Sequence, residues 1–158
     1  MVEKTDYLSV KRKNPVEVGL DLIHVATSEV AGEINQMSDM AVVFNSDRQV
    51  VFANETFMSF VGLVSLKSVI TKRLGEILGC VNATLHSGGC GTSIKCRKCP
   101  IAQAFDNCLN GVSPQSGICL LTSESATVDE LSLDFTMSQV SISDEFYYLV
   151  TIKSIDDC

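Results

Sequence analysis

This chain of 158 residues has no excess of positive charge: 12 Lys and Arg against 19 Asp and Glu leave a formal net charge of -7. An electrostatic nucleic-acid footprint is not expected, and Lys11-Arg12-Lys13 is too short to supply one. No apolar run reaches the length of a membrane span, and the opening residues MVEKTDYLSVKRKN lack the apolar core of a secretory signal. Histidine is scarce: there are 2, neither in a triad or zinc-protease motif. A phosphate-binding glycine loop and a kinase catalytic module are both missing, so no enzymatic activity is expected of this chain. The same absences lead to an expectation of a cytoplasmic, reducing location. There, cysteines serve metal, redox or packing roles before disulfides.

Cysteine is what the chain does have, with 7 residues, an odd count that argues against complete intramolecular pairing. Cys80, Cys90, Cys96 and Cys99 crowd into the run GCVNATLHSGGCGTSIKCRKCP, an insert spanning 80–99. The spacing C-x9-C-x5-C-x2-C has the ligand number and pinched geometry that a tetrahedral thiolate site needs. Gly88, Gly89 and Gly91 allow a tight turn at Cys90, and Lys95, Arg97 and Lys98 offset thiolate charge. Pro100 suits the first position of a helix, which places Cys99 at a helix N-terminus, where partial positive charge favours a thiolate. His86 is a possible substitute for Cys80. The expected cofactor is zinc, which is weakly preferred, or an iron–sulfur cluster. The alternatives are a dithiol redox protein using Cys96 and Cys99, and a dimerisation scaffold with a structural zinc. Cys108 lies on the apolar stripe of a helix and reads as a small core residue. Cys119 sits in a strand whose facing the sequence leaves open, and Cys158 is at an end expected to be unstructured.

Residues 1–15 read as a poorly ordered lead-in. Over 16–38, Val16, Leu20, Ile23, Thr27, Val30, Ile34 and Met37 repeat at heptad spacing. This predicts an amphipathic helix that either dimerises the protein or lies on its own domain. His24, beside that seam, reads as a surface or packing residue. Two β-branched runs, 41–44 and 50–53, flank the turn residues Asn45-Ser46-Asp47 as a hairpin. Asn54 is placed to cap the next helix, and Gly62 to end it. A short helical piece is expected around Leu74, Ile77 and Leu78, and a longer one from Pro100 to Asn110-Gly111. Three strands close the chain: 116–122, and the alternating runs 131–138 and 146–153. Asp129-Glu130 and Asp144-Glu145 fall between them as solvated turn charges.

This order, with MAVVFNSDRQVVFANETFMSFVG at 40–62 and the final three strands, resembles a PAS sensory domain over about residues 33–155. The cysteine run resembles that of a PAS subgroup found ahead of bacterial histidine kinase modules. The Asn-Cys-Arg-Phe-Leu context of the light-sensing, flavin-adduct subgroup is missing. The resemblance implies an α+β fold over 39–156: a five-stranded antiparallel sheet in the order 2-1-5-4-3, helices on one face, and a cavity for a small-molecule ligand of unspecified identity. It further implies signal transduction in a two-component system, a homodimer paired through the N-terminal helix, and a downstream signalling partner.

Overall fold

The alternating apolar and polar side chains toward the end of the chain form three strands, β3 (Gln115–Thr122), β4 (Glu130–Ile142) and β5 (Glu145–Ile155). A computed structural model describes residues 4–124 and 130–155, so Asp129 and Cys158 lie outside the described residues. Strands β4 and β5 run longer than the alternation predicts, because their connection shrinks to Ser143-Asp144. Both of these residues have positive φ (52° and 65°), the geometry of a tight hairpin. Strands β1 (Met40–Phe44) and β2 (Val50–Ala53) complete an antiparallel sheet in the order β2-β1-β5-β4-β3.

Both faces of β1 and β2 are covered, which is why they read as continuous apolar runs rather than as alternation. Val42, Phe44 and Val50 face the larger core with Phe57, Leu74 and Phe105. Those three come from the helices α3 (Glu55–Val61), α4 (Leu74–Leu78) and α5 (Pro100–Leu109). The Phe44 and Phe105 rings meet edge to face at 5.1 Å. Ala41, Val43 and Val51 face the other way, against Val18, Val25 and Ile34.

The predicted helix over 16–38 is instead two helices, α1 (Pro15–Ala26) and α2 (Glu29–Asn35). The break falls where the Thr27 and Ser28 hydroxyls bond back to the carbonyls of Ile23 and Val25, offering the backbone an alternative to the helical ladder. Helix α1 turns Val18, Asp21 and Val25 inward and leaves the heptad residues Val16, Leu20 and Ile23 outside. Asp21 anchors it to the sheet: its buried carboxylate accepts from Lys13 Nζ (3.0 Å), Asn45 Nδ2 (3.3 Å) and the Tyr147 hydroxyl (2.9 Å).

Asn54 does more than cap α3. Its Oδ1 accepts from Phe57 N (3.0 Å) and Ala41 N (3.1 Å), and its Nδ2 donates to the carbonyls of Ile34 and Asp39 (both 2.9 Å). One buried amide therefore joins α2, β1 and α3. Asn54→Ala removes the side-chain partner of the Phe57 and Ala41 amides and of the Asp39 carbonyl, while the Ile34 carbonyl keeps Met37 N, so an expected loss of about 2–3 kcal/mol follows, measured by urea unfolding.

Residues 4–14 form an extended strap where the sequence suggests a poorly ordered lead-in. Asp6 N and Leu8 N donate to the carbonyls of Thr92 and Gly91, both at 3.0 Å. Leu8 is buried in the main core, and Arg97 lies over the Tyr7 ring at 5.6 Å. Polar composition gives no hint of this order, because the strap is held by backbone groups of the cysteine segment.

Candidate functional site

The cysteine segment turns through two 3-10 pieces, Val81–Thr84 and Ile94–Lys98, and then enters α5. Gly89 and Gly91 flank Cys90, both at φ +90°, a conformation that L side chains rarely adopt. The chain thereby doubles back, and Cys80, Cys90, Cys96 and Cys99 all line one cavity of about 250 Å³. Cys119, whose facing the sequence left open, lines it as well. Cys108 is buried in the core, its thiol directed at the Met137 carbonyl. His86 does not line the cavity, and its Nδ1 accepts from Gly88 N at 2.9 Å.

Backbone N–H groups lie toward three of the four predicted ligand sulfurs, and a hydroxyl touches the fourth. The backbone N–H groups of Asn82 and Ala83 point to Cys80, that of Gly75 to Cys90, and those of Ala102 and Ile101 to Cys99. The Ser93 hydroxyl lies 3.3 Å from Cys96 Sγ. Hydrogen bonds of this kind surround thiolates that ligate metals and tune them. Space is made for them too. A Cβ built on Gly75 would lie 2.8 Å from Cys90 Sγ and 3.2 Å from Cys80 Cβ, so only glycine at this helical position admits both cysteines.

Burial raises the Cys80 thiol and pushes Cys90 up to about 12, so neither ionises unaided near neutral pH. A coordinated metal deprotonates such thiols outright. Cys99 is held below its ordinary value by its contact with the Cys119 thiol and by the two α5 amides, while Cys119 is raised by the same contact. Their sulfurs are 3.9 Å apart.

Two arginines that the sequence did not single out stand behind Cys90. Arg48 and Arg73 are 3% and 0% exposed and both border the cavity. Arg73 donates to the carbonyls of Asp47, Gly88, Ser9 and Lys11. Arg48 donates to those of Ser9 and Cys90. The nearby Glu76 carboxylate is engaged by Arg12 and by the N–H groups of Arg73 and Cys90. Burial would raise Glu76, but Arg12 and those amides outweigh it and hold the carboxyl below its usual range. Burial first, then Arg48 and Arg12, push Arg73 down to about 9. A guanidinium keeps its proton in proteins, so Arg73 stays charged, with the Glu76 carboxylate opposing the shift.

The two cofactor expectations ask for different sulfur spacings. Four thiolates around one zinc ion, with bonds of about 2.3 Å, require sulfurs about 3.8 Å from one another. Among the described residues, no three of the cysteine sulfurs lie within 4.8 Å of each other. One group that does draw three ligand atoms that close is Asp21, His24 and Glu145, on the opposite face of the sheet. There Asp21 is already bonded to Lys13 and Tyr147, so the group is accounted for by helix anchoring.

No family model and no curated protein matches the chain. Solved structures do. The PAS domain of nitrogen regulation protein NR(II) from Vibrio parahaemolyticus aligns with a TM-score of 0.56 at 15% identity, covering 82% of this chain and 100% of that one. The PAS domain of an HTR-like protein from Haloarcula marismortui aligns with a TM-score of 0.51 at 13% identity, covering 89% and 94%. A PAS domain from a two-component sensor histidine kinase gives 0.51 at 10% identity, covering 89% and 99%. With its sheet order and with α4 and α5 bordering a cavity on one face, the chain has the fold of a PAS domain.

Proposed function

We propose that this chain is a sensory domain that reads its signal at an iron–sulfur cluster held by Cys80, Cys90, Cys96 and Cys99, and passes it to an attached signalling module. What carries the reading is the match of charge and donors. Four cysteines around such a cluster make an anionic centre, and the cavity sets backbone N–H groups or a hydroxyl beside each sulfur and borders on two buried arginines. The sulfurs are spread around a cavity with more room than one ion needs, which favours a cluster over zinc. When bound, such a cluster would supply sensitivity to oxygen or to redox potential. The protein's own part is to orient the thiols through the α5 and α4 amides, balance charge through Arg48 and Arg73, and limit solvent access with the strap.

A sensory rather than catalytic role agrees with the similar structures, which include PAS domains of a two-component sensor histidine kinase and of a nitrogen regulation protein. Output through α1 is the companion proposal. Val16, Leu20 and Ile23 are 75%, 55% and 58% exposed and form an apolar stripe on which a second copy could pair. A reducing, cytoplasmic setting suits a thiolate-bound cluster. No described helix is long and apolar enough to cross a membrane.

Metal and sulfide analysis of protein purified without oxygen tests the reading. The expected result is a brown protein containing iron and acid-labile sulfide that bleaches in air, with iron lost in Cys96→Ser. A colourless protein with one equivalent of zinc, or with no metal, would overturn it.

A further inference from the structure

Cys119 is a fifth thiol at the cavity and has no place in the four-sulfur set. It sits on β3, buried, and its Sγ lies 3.9 Å from Cys99 Sγ at the start of α5. The other described cysteines are less available to Cys99. Cys96 Sγ is in contact with the Ser93 hydroxyl, and Cys108 points to the Met137 carbonyl. Disulfide formation needs the sulfurs at about 2.05 Å. Side-chain rotation at two cysteines that already touch can close such a gap.

We propose that Cys99 and Cys119 form a reversible disulfide when the metal-free protein meets hydrogen peroxide, linking the N-terminus of α5 to β3. The reaction balances as two thiols and one peroxide giving one disulfide and two waters. The Cys99 sulfur attacks one peroxide oxygen and the O–O bond breaks. The resulting sulfenic acid carries that oxygen, and the first water leaves. The Cys119 sulfur then attacks the Cys99 sulfur, the S–O bond breaks, and the second water leaves. Cys99 is half-buried at the cavity wall, and that is the route for peroxide. The bond itself does not depend on the cluster reading. Its consequence does: an oxidised Cys99 is withdrawn from the proposed ligand set, which converts loss of the cluster into a locked state of α5.

The test takes the full chain, stripped of metal by a chelator under reducing conditions and then freed of reductant. One equivalent of hydrogen peroxide is added, remaining thiols are trapped with N-ethylmaleimide, and peptides are mapped by mass spectrometry without reduction. The expected result is one dominant cross-link joining Cys99 to Cys119. It should be reversed by dithiothreitol and retained in Cys96→Ser. A dominant Cys96–Cys99 cross-link, or Cys99 recovered only as a sulfinic acid, would overturn the proposal. Iron content is measured beforehand on the same anaerobic preparation. An iron-free preparation that still gives the Cys99–Cys119 bond sinks the cluster and leaves the disulfide standing.

Discussion

Arg73→Met should be the most damaging single substitution outside the cysteines, at about 3–5 kcal/mol of stability. The side chain is fully buried and donates to four carbonyls: Asp47 after β1, Gly88 beside the cysteine turn, and Ser9 and Lys11 in the strap. Methionine fills similar volume but has no donor: Ser9 keeps Arg48 and Gly88 keeps Arg12, but the Asp47 and Lys11 carbonyls lose the guanidinium. Arg73→Lys should be intermediate, because an ammonium is a point charge and cannot span four acceptors in a planar fork. Urea midpoints at constant m-value measure the loss. Limited proteolysis should show the strap over 4–14 becoming susceptible first. A change below about 1 kcal/mol with an intact strap would mean that this guanidinium does not hold the three segments together.

Gly75→Ala sets two effects against each other. Gly75 is inside α4, and alanine in a helix gains about 0.5–1 kcal/mol through reduced backbone entropy. The new methyl, however, would sit 2.8 Å from Cys90 Sγ and 3.2–3.3 Å from the Cβ atoms of Cys80 and Cys90. The sulfur must leave its place at the Gly75 amide. The expected result is a variant whose metal-free form unfolds within about 1 kcal/mol of the parent. The iron-to-protein ratio falls at least tenfold, and Cys90 is alkylated faster under native conditions. Full iron content with unchanged Cys90 reactivity would remove Gly75 from the site. The alkylation readout holds even for protein without metal, so the packing claim is tested apart from the cluster.

Local order along this chain is readable because each signal is carried by neighbouring residues. Asn54 and Gly62 bound α3 through their own capping geometry. Pro100 and the apolar spacing of Ile101, Ala104, Phe105 and Cys108 define α5. The β1–β2 hairpin follows from β-branched runs around a polar turn. The strand order 2-1-5-4-3 was legible only through resemblance, since periodicity does not say which strands pair. The heptad over 16–37 leaves both of its readings open because a spacing rule carries no information about which face a sheet will cover. Tyr147 and Asn45 recruit Asp21 from the polar side of that pattern, and the helix rotates to suit.

Sequence alone determined the candidate thiols, at 80, 90, 96 and 99, close enough along the chain that a turn can gather them. Tertiary structure decided what surrounds them. Arg48 and Arg73 arrive from β-hairpin and loop positions, Cys119 from a distant strand, and the strap from the opposite end of the chain. None of these has a local mark, because desolvation, charge balance and sulfur–sulfur contact arise only when remote segments exclude water from the same small volume.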